Sequence, residues 1–173
     1  MSMRLTVGCD LEEFKAYYKT SGWAENLGPT EEEIIREAKP HLIVFRERDK
    51  IVGHAIWHET DTEEHREGEP RDREDRETLE KLLGGRKAFV ELHELWLKKE
   101  HRGKGYGERF FGFFEDFIAG KGHDSIIYYA FDPAAIALCR RRGYGEAQGA
   151  ELAGEEWTRK PYYVFSQTVG GDT

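Results

Sequence analysis

Phe89-Val-Glu-Leu-His-Glu-Leu-Trp-Leu97 runs into Lys98-Lys-Glu-His-Arg-Gly-Lys-Gly-Tyr-Gly-Glu-Arg109 and then into Phe110-Phe-Gly-Phe-Phe-Glu-Asp-Phe-Ile118. In the first segment Val90, Leu92, Glu94 and Trp96 fall on one face, and Glu91, His93, Leu95 and Leu97 on the other. That is the two-residue repeat of a strand. In the last segment Phe110, Phe113, Phe114 and Phe117 recur at helical spacing, with Glu108, Glu115 and Asp116 opposite. Between strand and helix lie Gly103, Gly105 and Gly107, together with Arg102 and Lys104.

Glycines let a backbone approach a ligand closely and take positive φ. A helix that begins in this loop leaves its first N–H groups without intrahelical partners, and its N-terminus carries roughly +0.5 charge. Two cationic side chains add to that field, and the sum suits a pyrophosphate. The plainer alternative is a tight turn with solvated cations. Glycines at three alternate positions exceed what a turn needs.

Working outward, Arg4 to Val7 reads as a short strand. Asp10 with Glu13 forms a capping box for a helix whose apolar face is Leu11, Phe14, Tyr17 and Tyr18. Thr30 with Glu33 forms a second capping box, for a helix carrying Ile34, Ile35 and Ala38 and stopped by Pro40. His41–Arg48 and Ile51–His58 read as a hairpin around Asp49-Lys50, with Leu42 to Phe45 in a central strand. Residues 59–87 are dense in charge and read as an insertion between the third and fourth strands, part disordered and part solvated helix. Asp72 to Leu83 is its candidate helix, with only Leu79, Leu82 and Leu83 as a stripe. A flap over an acceptor site is the functional alternative.

Downstream, Ser125 to Phe131 is a strand, and Asp132 caps a helix that begins at Pro133 and closes at Gly143. Tyr144–Leu152 and Lys160–Thr168 fit a final antiparallel pair.

Two of these segments resemble one family. Arg102-Gly-Lys-Gly105-Tyr-Gly107 resembles the Arg/Gln-x-x-Gly-x-Gly/Ala pyrophosphate motif of the GNAT superfamily of N-acetyltransferases. Asp132-Pro-Ala-Ala135-Ile-Ala-Leu-Cys139-Arg-Arg-Arg-Gly143-Tyr144 is similar to that family's Asn-x-x-Ala-x-x-Leu-Tyr-x-x-x-Gly-Phe segment. The element order agrees too, outside residues 59–87. The resemblance implies an α/β (α+β) fold, a mixed sheet of about six to seven strands flanked by about four helices, and a single domain over residues 1–173. It implies acetyl-CoA as co-substrate, no metal, and a small-molecule or peptide amine as acceptor. Dimers are common in the family, which leaves a homodimer open. Tyr17, Tyr18 and Trp23 are core or a wall of the acceptor site.

The resemblance also assigns roles. Glu91 falls where some members hold a general-base carboxylate, and His93, on the same face, is the second candidate. Glu94 takes the other face unless a bulge reorders the strand. The N–H of Leu95 is the implied oxyanion donor, and the Leu95–Trp96–Leu97 backbone is the implied partner of the pantetheine arm. Arg102, Gly103, Lys104, Gly105, Tyr106 and Gly107 hold the pyrophosphate, and Asp132 and Ala135 also belong to the co-substrate site. Asp132 departs from the family's Asn. Cys139 stands where many members have an acidic Tyr, so the acid is Cys139, a phenol such as Tyr128 or Tyr144, or no residue at all.

A net charge of −8 argues against sequence-independent nucleic-acid binding and is compatible with a cationic substrate. Two cysteines make no disulfide framework. Neither a signal-peptide core nor a membrane span is legible, so a cytoplasmic protein is expected. Two other readings stay on the table. One is a CoA-binding module without catalysis. The other is a dinucleotide-binding protein, although Gly103-x-Gly105-x-Gly107 lacks the Gly-x-Gly-x-x-Gly spacing.

Overall fold

The computed structural model describes residues 3–37, 41–63, 72–130, 132–148 and 163–170. In order these form β1 (Met3–Val7), α1 (Leu11–Lys19), α2 (Pro29–Glu37), β2 (Leu42–Glu47), β3 (Lys50–Asp61), α3 (Asp72–Leu83) and β4 (Ala88–Leu97). They continue with α4 (Tyr106–Gly120), β5 (Ser125–Ala130), α5 (Pro133–Arg141), β6 (Gly145–Gln148) and β7 (Tyr163–Thr168). The seven strands are ordered β1-β2-β3-β4-β5-β7-β6. The β1–β2, β2–β3, β5–β7 and β6–β7 pairs are antiparallel. Neighbours β4 and β5 are joined through α4, the crossover that parallel strands require, so the sheet is mixed. Five α-helices lie among the described residues against the four expected, and the additional one is α3, inside the insertion.

The chain divides into two compact units, Met1–His58 with Leu92–Phe110, and Glu59–Glu91 with Phe111–Thr173. In the first, Asp10 caps α1 by accepting the Glu13 N–H at 3.0 Å. Phe14, Tyr17 and Tyr18 of α1 and Ile35 of α2 form a core with Leu42, Val44, Ile51 and Ile56. Leu42 to Phe45 are buried without interruption, as a strand covered on both faces should be. Two local expectations shift. α2 starts at Pro29, whose missing N–H suits the first helical position, so Thr30 lies within the helix rather than capping it. The hairpin turns on Arg48 and Asp49, both at positive φ, one residue earlier than expected.

In the second unit β7 pairs with β5 from Ser125↔Thr168 to Ala130↔Tyr163, and with β6 from Gly145↔Ser166 to Gln148↔Tyr163. Residues 149–162, where the last two strands were expected to extend, lie outside the described part. The described part of the insertion is less solvated than its charge implies. β3 continues through Asp61, and the Thr62 N–H donates to the Lys87 carbonyl at 3.0 Å. α3 buries Leu79 and Leu83 in a cluster with Phe89, Ile127 and Val164, and Leu82 packs at its edge. Three leucines in the last turns suffice to dock a helix that is otherwise polar. α4 presents Phe110, Phe111, Phe114 and Ile118 inward. Phe113 and Phe117, expected on that face, are only half-buried and stack on each other at 5.7 Å.

Candidate active site

A single 3-10 turn, Lys99–His101, leads from β4 into the glycine loop. Gly103 and Gly105 have φ of 81° and 80°, the left-handed region that disfavours side chains. A Cβ at either would meet no atom within 4 Å, so dihedral angle rather than crowding selects glycine, and the backbone stays open to a ligand. α4 begins at Tyr106, and the Arg109 N–H makes its bond back to the Gly105 carbonyl. The N–H groups of the preceding turn have no intrahelical acceptor.

Both loop cations already have protein partners. The Arg102 Nε–H donates to the Leu97 carbonyl at 2.9 Å, and its guanidinium lies 4.3 Å from the Trp96 ring. Lys104 Nζ lies 3.6 Å from Glu47 Oε2. Arg102 therefore fastens the loop to the end of β4. Trp96 is fixed in turn, its indole N–H donating to the Ser21 carbonyl at 2.7 Å and its ring meeting Trp23. Leu97 packs beside Gly53 of β3, where a Cβ would come within 2.8 Å of the Trp96 carbonyl, so only glycine allows this approach.

Upstream on β4, Glu91 is buried and His93 half-buried. His93 Nε2 lies 3.2 Å from Glu31 Oε1 at the start of α2, and its ring meets that of His58 at 5.8 Å. That hydrogen bond is the largest cause holding the Glu31 carboxyl below its usual range. Glu94 is buried and lies 2.6 Å from His54 Nε2. His54 and His58 stand four residues apart on β3 and so share a face. Adjacent His93 and Glu94 both meet that face, so strict alternation breaks between them, as at a β-bulge. Glu94 thus joins the side of the strand that alternation denied it.

Around Glu94 a buried network forms. The Tyr18 hydroxyl donates to Glu94 Oε1 at 2.9 Å, and the Tyr17 hydroxyl lies 2.7 Å from His54 Nδ1. A carboxylate only accepts, so Nε2 of His54 carries a proton toward Glu94. Burial raises both phenols, with the Glu94 charge adding to it. Every polar group of the network is then paired, which a buried cluster requires. A His within an apolar strand (His54) was its one signal in the sequence.

In the second family-like segment the polar side chains have protein partners. The Asp132 carboxylate accepts the Ala135 N–H at 3.2 Å and caps α5. Asp and Asn cap equally well, which accounts for the departure from Asn. Cys139 is fully buried, and burial, ahead of the Glu115 charge, pushes its thiol up to about 12. Tyr128 is buried and its phenol raised by desolvation. The Tyr144 hydroxyl donates to Glu115 Oε2 at 2.6 Å, alongside an Arg142–Glu115 pair.

The chain matches the Acetyltransferase (GNAT) family over residues 10–144. No curated protein matches it. Among solved structures it is similar to agmatine N-acetyltransferase, with a TM-score of 0.69 and 12% identity over 98% of this chain and 100% of that one. It is similar to the Drosophila melanogaster polyamine N-acetyltransferase at a TM-score of 0.71 and 12% identity, covering 97% and 100%. It is also similar to the ribosomal-protein-S18-alanine N-acetyltransferase from Escherichia coli, at 0.65 and 12%, covering 99% and 97%. At such identities the likeness is one of fold. No helix among the described residues is long and apolar enough to cross a membrane.

Proposed function

The chain belongs to the GNAT acetyltransferase family, and on that premise we propose that it moves an acetyl group from acetyl-CoA to a primary amine by direct attack in a ternary complex. The observation that carries this reading is the loop from Arg102 to Gly107. Two glycines at positive φ open onto the N-terminus of a long helix, with Arg102 before them and Lys104 between them. That donor set fits a pyrophosphate.

Acetyl-CoA supplies the activated thioester. The residues supply the rest. An alkyl amine with pKa near ~10.4 is neutral in about one part in a thousand at pH 7, a deficit of roughly 4–5 kcal/mol that a base must offset. Glu91 takes that proton, directly or through water. His93 is the alternative, favoured by its hydrogen bond with Glu31, which orients the imidazole. The Leu95 N–H donates to the oxygen that gains charge. The β4 backbone at Leu95 and Leu97 pairs with the pantetheine arm. In this reading Cys139 is not the acid, because burial pushes its thiol up to about 12 and makes it a weaker acid than the departing thiol. Thiols titrate near ~8.5, so the thiolate leaves without help.

The neighbours are named for agmatine, polyamines and an alanine of ribosomal protein S18, and this diversity leaves the acceptor at the level of an amine. The first experiment is calorimetric titration with acetyl-CoA, with NAD and ATP as controls. Binding of acetyl-CoA alone is expected. Free-thiol release over an amine panel follows, and Glu91→Gln should lower kcat by about 10²–10⁴ with little change in Kd. A fully active variant passes the role to His93. Binding without turnover on any amine makes the protein a CoA-binding module.

A further inference from the structure

Glu47 closes β2, opposite Met3 of β1 in register. Its carboxylate is nearly buried, and a single oxygen, Oε2, serves three partners. It accepts the Tyr106 hydroxyl at 2.6 Å, lies 3.0 Å from His101 Nδ1, and lies 3.6 Å from Lys104 Nζ. These residues bracket the glycine loop. His101 ends the 3-10 turn, Lys104 stands between the two positive-φ glycines, and Tyr106 opens α4. Arg109 adds a second tie in the same place, its guanidinium donating to the Met3 carbonyl at 2.9 Å.

A carboxylate is an unfavourable neighbour for an anion site. Its charge lowers the positive potential there, and the cation it draws on, Lys104, belongs to the loop itself. Anion affinity alone would select an uncharged residue. What the carboxylate offers instead is order. Glycine loses more conformational freedom than any other residue when fixed. A loop of this composition that was ordered only on binding would lose affinity to that cost. A post that fastens both ends of the loop in the free protein removes it.

We infer that Glu47 is a positioning residue of the pyrophosphate loop: its carboxylate holds His101, Lys104 and Tyr106, so that the loop N–H groups are set before CoA arrives. This rests on the reading that the loop binds the pyrophosphate of CoA. The same contacts, with the Tyr106 hydroxyl first, hold the Glu47 carboxyl below its usual range.

Three ligands, three single variants and one double variant test it. CoA affinity is measured by calorimetry, and kcat and KM are measured with acetyl-CoA and with S-acetylpantetheine, which lacks the pyrophosphate. Glu47→Ala is expected to weaken CoA binding by about tenfold or more, the size of a lost charge-assisted hydrogen bond that holds the bound geometry. The loss should fall in KM for acetyl-CoA rather than in kcat, and be absent with S-acetylpantetheine. Glu47→Gln keeps an acceptor for Tyr106 and should stay within about threefold of the unmodified protein, since it removes mainly charge. If Glu47→Ala does not fold, Tyr106→Phe carries the test, and it should weaken CoA several-fold with no further loss when combined with Glu47→Gln. Tighter CoA binding by both Glu47 variants would overturn the inference and make Glu47 a competing anion. Equal losses on both thioesters would overturn it in favour of general destabilisation. An unmodified protein that does not bind CoA removes the loop reading itself, whereas normal binding by every variant removes only the role of Glu47.

Discussion

Arg102–Gly107 lies at an open strand-to-helix turn, held from outside by Arg102 on Leu97 and by Glu47 on its flanks. Asp132–Tyr144 matches the same family, yet its polar group is occupied by a helix cap and its thiol is sealed in the core. The first segment leads into a helix start, where the first N–H groups have no intrahelical acceptor. In the second, the carboxylate and the phenol of Tyr144 are already satisfied by the protein. The two motifs thus differ in how many of their polar groups the protein itself already pairs.

The largest effect should come from forcing a side chain onto the open segment. Gly105→Val costs roughly 1–2 kcal/mol of backbone strain in the left-handed region, or about five- to thirtyfold in Kd for acetyl-CoA. Titration calorimetry reads it, and unchanged affinity would erase the contrast. Next, Cys139→Ala should lower stability by about 1–2 kcal/mol through a core cavity. Thermal unfolding would show the loss while kcat holds. A large fall in kcat with an intact melting temperature would return Cys139 to the chemistry. Asp132→Ala should cost about 1 kcal/mol as a lost cap, and Asp132→Asn only a few tenths. Neither should alter acetyl-CoA affinity, and a drop in affinity alone would place Asp132 with the ligand.

The smallest effect is a pH dependence. The Glu47 carboxyl is lowered in the folded protein, so the unfolded chain binds the proton first as pH falls. Its contribution is whole above the ordinary carboxylate range and is lost as pH falls through the lowered folded value. The melting-temperature gap between the unmodified protein and Glu47→Gln should thus close in acid. A gap constant from pH 7 to pH 3 would separate Glu47 from the loop.

Most of the architecture was legible in short-range pattern. The period change across Phe89–Ile118, the Asp10 cap and the Asp132-Pro133 helix start are local signals, and their elements form as read. Departures arise where tertiary contacts decide. Phe111 is buried although the stripe ran through Phe113 and Phe117, because the inward face follows what α4 packs against. α3 docks on three leucines that a charge-rich window conceals. At the site, the glycine loop was readable because glycine reports backbone angle directly. The His93–Glu94 break was not, since one irregular residue reverses every assignment beyond it. Nor was Glu47, whose partner Tyr106 lies 59 residues away. A carboxylate ending a strand carries no mark of a tether that distant.

The hydrogen bond from Thr62 to Lys87 gives the insertion a common doorway. Leaving and returning at one point makes the excursion nearly length-neutral, since each doubling of a loop adds only about 0.6 kcal/mol of closure entropy. Leu79 and Leu83 anchor its far end, because they roof Phe89, Ile127 and Val164. The charged excursion thus returns to the strands as a lid on the hydrophobic core.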